Sequence, residues 1–231
     1  PSNRKRLHHQ FRLNKGQEGM APLSQKTTNG HVNLMFEAMS TVMWIGHRSE
    51  HSAIYGPGLR YVIWTQGCTL ACEGCWNKQF WPKGGTPVTI TDLLEEIRRV
   101  KGIEGITILG GEPLQQANAT LELIQSVKAA GLTVFMYTGY EINEFDETMQ
   151  ACFDSSDIVV TGRYIESQRN VNLRWRGSTN QVLHCPTGRY SLSELVEQNE
   201  VEIVVNEDGS VELYGYPDSE IRQWIENQSV S

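Results

Sequence analysis

The chain has 231 residues, 39% of them hydrophobic and 20% charged, and carries a formal charge of -7. That length suits one domain of ordinary size, and no apolar run approaches the roughly 20 residues of a membrane-spanning helix, so no membrane partner is expected. Charge is divided unevenly: residues 1–35 hold six basic residues against Glu18 alone, which leaves the remainder strongly acidic and without an electrostatic footprint for nucleic acid.

No basic start, apolar stretch and small-residue cleavage site combine at the N-terminus, so secretion has no support. Five cysteines, three clustered and Cys152 and Cys185 far apart, argue against a disulfide framework and for a reducing, cytoplasmic setting. Residues 1–38 are polar and lack apolar periodicity; a disordered basic extension is expected there, or a stretch upstream of a start at Met35 or Met39. Residues 39–231 are expected to form a single domain.

From Thr41 the pattern changes. Val42, Met43, Trp44 and Ile45 predict an edge strand or hairpin arm, and Gly56-Pro57-Gly58-Leu59-Arg60 a turn. Tyr61-Val62-Ile63-Trp64-Thr65 then predicts a buried strand, and the segment Gln66-Gly67-Cys68-Thr69-Leu70-Ala71-Cys72-Glu73-Gly74-Cys75-Trp76-Asn77 follows it directly. Asp92 with Glu95 marks the start of a helix over 91–101, whose Leu93, Leu94, Ile97 and Val100 share one face. A β-branched strand over 106–109 ends in Gly110-Gly111-Glu112-Pro113-Leu114. Leu121, Ile124 and Val127 predict a second helix stopped by Gly131, followed by a strand over 132–137. A weak helix over 142–152, a strand over 158–160 and a polar loop over 162–190 come next. Beyond it lie a helix over 192–198, a strand pair over 201–205 and 211–214 turning at Asp208-Gly209, and a last helix over 219–224. Near-continuously apolar strands alternating with amphipathic helices predict parallel α/β architecture.

Cys68, Cys72 and Cys75 stand in CxxxCxxC spacing at the C-terminal end of a strand, where open α/β sheets and barrels carry their sites. Three readings are open on spacing alone. Structural zinc needs a fourth ligand from His47, His51, His184, Cys152 or Cys185, none at finger-like spacing. An electron-transfer cluster also calls for four thiolates. A catalytic cluster held by three leaves one iron open to a small molecule.

The cysteine motif together with Gly110-Gly111-Glu112-Pro113 at the next strand end resembles the radical S-adenosylmethionine (SAM) enzymes. Gly56-Pro57-Gly58-Leu59-Arg60, Gly74-Cys75-Trp76-Asn77-Lys78, Tyr137-Thr138-Gly139-Tyr140 and Trp175-Arg176-Gly177-Ser178-Thr179-Asn180-Gln181 narrow the resemblance to the anaerobic ribonucleotide reductase activating proteins, within the glycyl-radical enzyme activases. It runs from about Gly56 to His184, and the segment from about 185 diverges. The resemblance implies a partial, open parallel α/β barrel. It implies one 4Fe-4S cluster on Cys68, Cys72 and Cys75, its fourth iron chelating SAM. Gly110 and Gly111 would give close backbone approach to SAM, Glu112 an acceptor for its ammonium group and Pro113 a stiff turn. Gly74, Cys75, Trp76 and Thr138 become further cofactor contacts, and no acid-base pair is expected.

The implied reaction is reductive cleavage of SAM to a 5'-deoxyadenosyl radical that takes a hydrogen from a glycine of a large glycyl-radical enzyme. The electron would come from a donor such as flavodoxin or ferredoxin. Modification of another peptide or small molecule is the alternative enzyme, and an iron-sulfur or zinc-binding adaptor the alternative outside enzymes. Cys152 is expected to be a small buried hydrophobe. Arg174 and Arg176 are either a docking or carboxylate-binding pair or part of a solvated loop.

Overall fold

The computed structural model describes residues 41–194, 200–205, 208, 211–215, 217, 218, 220, 221 and 223. The expected N-terminal extension lies outside these residues, as do parts of the expected helices over 192–198 and 219–224. Of the first, Leu192–Glu194 is a 3-10 turn.

Seven strands form one sheet in the order β3-β1-β2-β4-β5-β6-β7. Its centre is parallel: β2 (Arg60–Thr65), β4 (Gly105–Gly110), β5 (Thr133–Tyr137) and β6 (Ile158–Thr161) run together. Antiparallel strands flank them, with β1 (Val42–Ser52) and β3 (Thr86–Thr89) on one side and β7 (Val182–His184) on the other. All six residues of β2 are buried, which explains its unbroken apolar run, whereas β1 begins with alternating exposed and buried residues.

Three differences from the sequence expectations have physical causes. The strand at Val42 is a hairpin arm paired antiparallel with β2, as one of the two expectations had it, but it is an inner strand and not an edge, because Pro87 and its neighbours in β3 cover its outer side; a proline is tolerated there because it sits on the edge. Strand β7 emerges from a polar stretch without periodicity, held by pairing with β6. Arg60, expected in a turn, opens β2 and is wholly buried. Its guanidinium gives Nε to Thr107 Oγ1 (2.8 Å), Nη1 to Thr133 Oγ1 (2.9 Å) and Pro57 O (3.2 Å), and Nη2 to Thr133 O (3.1 Å) and Ile106 O. Five donors in a rigid fork are satisfied by neutral acceptors, which offsets the cost of burying the charge.

Three α-helices among the described residues pack on one face of the sheet. Helix α1 (Ile90–Arg99) is capped by Thr89, whose hydroxyl accepts from the Asp92 N–H at 3.1 Å, and it buries Ile90, Leu93 and Ile97. Helix α2 (Ala117–Ala129) buries Leu123, Ile124 and Val127 and gives way at Gly131, whose φ of +80° continues no helix. Helix α3 (Glu147–Ser155) starts at Asp146, which accepts from Met149 N–H at 2.8 Å, and it buries Cys152. These faces share one core with Tyr61, Ile63, Ile106, Ile108, Val134, Met136 and Val159.

Alternate strand residues face the other way. There Val62, Trp64 and Leu109 gather with Phe80, Tyr55 and Tyr214, and Phe135, Ile158 and Val160 gather with Trp175. The hairpin of β8 (Val201–Val205) and β9 (Val211–Gly215) has the expected antiparallel register, and its Tyr214 packs on Trp64 with ring centroids 5.5 Å apart.

Candidate functional site

The cysteine loop leaves the C-terminal end of β2 and is tied down at its root. Gly67 N–H donates to Phe80 O (2.8 Å), Cys68 N–H to Trp81 O (3.0 Å), and Glu112 N–H to Gly67 O (2.9 Å). Positive φ at Gly67, Ala71 and Gly74 curls the chain, and Cys75 N–H closes a turn onto Cys72 O at 3.2 Å. Ala71 has the left-handed conformation that glycine takes freely, so this loop stores backbone strain.

Cys68, Cys72 and Cys75 line one open cleft with Gly110, Gly111, Glu112, Thr138, Gly139, Gly162, Tyr164 and Gln181. All three are free thiols and half-buried. Burial pushes the thiols of Cys68 and Cys72 above the ordinary range, and Asn77 N–H donates to Cys75 Sγ at 3.4 Å. Among the described residues no three His, Cys, Asp or Glu side chains converge on one ion position. The five candidate fourth ligands for zinc stand elsewhere: His47 meets Tyr214 Oη, His51 the carbonyl of Lys101, and His184 Thr161 Oγ1. Cys152 is buried against α2, where its thiol, pushed up to about 12 by burial, donates to Ala117 O, and Cys185 packs beside the Phe135 and Trp175 cluster.

Glu112 joins two strand ends. Its carboxylate, fully buried, accepts from Leu114 N–H (2.9 Å) and Thr138 Oγ1 (2.9 Å) on one oxygen and from Gly139 N–H (2.8 Å) on the other. Burial raises its pKa to about 7 against the opposing pull of these donors. Three of its roughly four acceptor positions are therefore spent inside the protein.

Gly110 and Gly111 are required by the protein's own packing. A Cβ on Gly110, where φ is +106°, would meet Thr65 N and Trp64 Cα at 2.6 Å, and one on Gly111 would stand 2.4 Å from Gly67 O. A Cβ on Gly74 would fall 1.9 Å from the Glu166 carboxylate, to which Tyr164 Oη donates. Trp76 lies under the Arg169 guanidinium, 4.9 Å from its ring centre. Pro113 is buried in a 3-10 turn, Pro113–Gln116, that leads into α2.

That turn carries residues that the motif reading passed over. Gln115 accepts from Thr69 N–H at 3.1 Å and donates to Thr69 Oγ1 at 2.7 Å, and Gln116 donates to Gln66 O at 3.2 Å. Two glutamines thus hold the cysteine loop against the Gly-Gly-Glu-Pro turn. Adjacent glutamines at a helix start give no sequence signal for this. Gln181, the last residue of the motif over 175–181, enters the cleft wall by giving Nε2 to Gly162 O at 3.1 Å.

The sequence profile of the 4Fe-4S single cluster domain family matches residues 54–184, which include the cysteine loop, the Glu112 turn and Gln181. Proteins named anaerobic ribonucleoside-triphosphate reductase-activating protein also match the chain. The one from Vibrio cholerae is 33% identical over 141 residues, covering 57% of this chain and 90% of that protein. The one from Escherichia coli is 34% identical over 143 residues, covering 57% and 91%. The chain belongs to this activating-protein family. The matched 4Fe-4S domain and the cleft agree, because three cysteine thiols on one curled loop beside open space are a donor set that fits such a cluster. Among solved structures, QueE from Escherichia coli aligns with a TM-score of 0.36 at 20% identity over 42% of this chain and 52% of that one, a likeness too slight to bear on the fold.

Proposed function

We propose that this protein is a radical SAM activase that installs a glycyl radical on an anaerobic ribonucleotide reductase-like partner. The observation that supports this most directly is one cleft, at the C-terminal ends of the parallel strands, lined by all three motif cysteines and the Glu112 turn. In this reading residues 39–231 are one domain, an open α/β barrel whose C-terminal segment from about 185 diverges. Cys68, Cys72 and Cys75 would hold three irons of a single 4Fe-4S cluster, leaving one iron for the amino and carboxylate groups of SAM. When bound, the cluster supplies the electron that cleaves SAM to methionine and a 5'-deoxyadenosyl radical.

The chain's own residues bind, orient and shield. Gly110, Gly111 and Pro113 shape the rim against which SAM lies, while Thr138 and Glu112 lock the ends of β4 and β5 together beside it. Gly74 and Trp76 offer a backbone turn and a ring to the adenine. The remaining acceptor position of Glu112 is available to an ammonium group. The electron donor would be of the flavodoxin or ferredoxin kind, in a reducing cytoplasm. Modification of another peptide is a second reading, favoured by the β8–β9 hairpin, which lies outside the family match and packs on Trp64.

The test is anaerobic reconstitution with iron and sulfide followed by dithionite and SAM. Formation of 5'-deoxyadenosine well above a Cys72→Ala control is expected, and its absence would sink the enzyme reading. A glycyl doublet in the electron paramagnetic resonance spectrum of the reductase after incubation separates the activase from the peptide modifier.

A further inference from the structure

The segment after β6 places a cation beside the cysteine cleft that the motif reading passed over. Arg163 stands between Gly162 and Tyr164, and both neighbours line the cleft with Cys68, Cys72 and Cys75. The chain is pinned on either side of it. Gly162 N–H donates to Tyr140 O at 3.1 Å, and Asn180 Nδ2 donates to Arg163 O at 2.8 Å.

Four strand ends meet around this side chain. At Gly139, just past β5, a Cβ would stand 2.5 Å from Leu70 Cδ1 in the cysteine loop, 3.5 Å from Glu112 Oε2 beyond β4, and 3.9 Å from Arg163 Cγ. One missing methyl group therefore separates the arginine stem from the ligand loop and from the Glu112 carboxylate.

The head group is held as closely. Nη1 donates to Glu144 Oε2 at 2.6 Å and Nη2 to Glu144 Oε1 at 2.7 Å, a two-pronged fork on a carboxylate that also accepts from Glu141 N–H at 2.8 Å. The guanidinium carbon lies 5.8 Å from the centre of the Tyr140 ring. Hydrogen bonding from Arg163 lowers the Glu144 carboxyl to about 2, so the pair stays ionised at neutral pH. With side chains 39% and 35% exposed, such a pair adds little to stability, and its larger consequence is to fix where the cation stands.

That charge is felt inside the cleft. Burial raises the Cys72 thiol, and the Tyr164 N–H and the Arg163 charge both oppose the rise. Burial likewise raises Glu112, and Arg163 is among the groups that oppose it. Reduction of an iron-sulfur cluster adds negative charge, so a fixed cation and an N–H donor at a ligating sulfur both favour it.

We propose that Arg163, held in place by Glu144, raises the reduction potential of the cluster carried by Cys68, Cys72 and Cys75. This rests on the cluster reading of the cysteine loop. The arginine exchanges neither proton nor electron; its charge favours uptake of the electron that a flavodoxin- or ferredoxin-like donor delivers.

The test is a redox titration of the reconstituted full-length protein without SAM, followed by the electron paramagnetic resonance signal of the reduced cluster. Arg163→Gln should take up the electron about tenfold less favourably, a fall of about 59 mV for one electron, while its iron content and thermal unfolding stay close to wild type. The gap should narrow as salt rises, because a partly exposed charge is screened. Arg163→Lys keeps the charge and loses the fork, so its potential should lie nearer the wild type. Arg99→Gln removes a cation from the exposed pair with Glu95 on α1, at the opposite end of the strands, and should leave the potential unchanged. Equal falls in the Gln and Lys variants of Arg163, or an equal fall in Arg99→Gln, would overturn the charge mechanism. A wild-type potential in Arg163→Gln would also overturn it, and weaker SAM binding by that variant would then assign the arginine to SAM instead. A wild type that assembles no 4Fe-4S cluster would overturn the proposal together with the cluster reading. A potential that depends on Arg163 in a protein that forms no 5'-deoxyadenosine would leave the proposal standing and overturn the radical SAM reading alone.

Discussion

Gly111→Ala would separate packing from chemistry at the Gly-Gly-Glu-Pro turn. The new Cβ would stand 2.4 Å from Gly67 O, 2.9 Å from Gly67 C and 2.9 Å from Phe80 O, all backbone atoms that cannot swing aside. Ordinary carbon contacts begin near 3.5 Å, so the root of the cysteine loop must retreat by about 1 Å. Overpacking of this kind costs about 1–3 kcal/mol. The Glu112 N–H to Gly67 O bond stretches with it, at about 1 kcal/mol more. Together these give about 2–4 kcal/mol, and the displacement is passed to Cys68, the next residue in the chain.

Gly131→Ala is the matched control, because Gly131 has φ +80° with nothing within 4 Å of its virtual Cβ. It should cost roughly 1–2 kcal/mol of backbone strain and leave the site untouched. Thermal unfolding and the iron and sulfide content after anaerobic reconstitution are the two measurements. Gly111→Ala should melt lower and lose most of its iron, while Gly131→Ala should melt lower and keep it. Full iron retention in Gly111→Ala would refute the steric coupling between the turn and the cysteine loop.

Other outcomes follow from the buried polar groups. Glu112 has its pKa raised from 4.5 to about 7, so the folded protein holds a proton that the unfolded chain has released. Its contribution is complete below about pH 4.5 and is lost as pH rises through about 7, by about 3 kcal/mol. Urea unfolding across that window should show this slope in the wild type and not in Glu112→Gln, and equal slopes would refute it. Arg60→Leu takes the Arg60 donors away from the hydroxyls of Thr107 and Thr133 and from three carbonyls and should lower stability by about 1–3 kcal/mol. Arg60→Lys, with three donors in the wrong geometry, should recover only part of this in chemical denaturation. Because burial raises the Cys68 and Cys72 thiols, reconstitution should become faster as pH rises, followed by visible absorbance; a rate independent of pH would argue against thiolate formation as the controlling step.

Much of the architecture was legible because it is recorded locally. The unbroken run in β2 reports burial on both faces, and the stripes of α1 and α2 report burial on one. The positive-φ glycines mark the loop that the cysteine spacing had already identified. What periodicity cannot carry is what covers a buried face. Helices α1, α2 and α3 lie on one side of the sheet, and Trp64, Trp175 and the β8–β9 hairpin contribute to the other. Arg60 read as part of a turn because it follows Gly56-Pro57-Gly58; only the acceptors that β4, β5 and the preceding loop bring around it make its burial tolerable.

The candidate site divides the same way. By itself the amino-acid order determined the three cysteines, the Gly-Gly-Glu-Pro turn and the position of each at a strand end, since a ligand spacing and a strand end are properties of neighbouring residues. Tertiary structure decided that Glu112 is held by Thr138 and Gly139 from the next strand, and that Gln115 reaches back to Thr69 across the loop. It also decided why Gly111 must be glycine. Each of these joins residues more than twenty-five positions apart. Such pairings depend on strand order and register, which neither spacing nor hydrophobic period records.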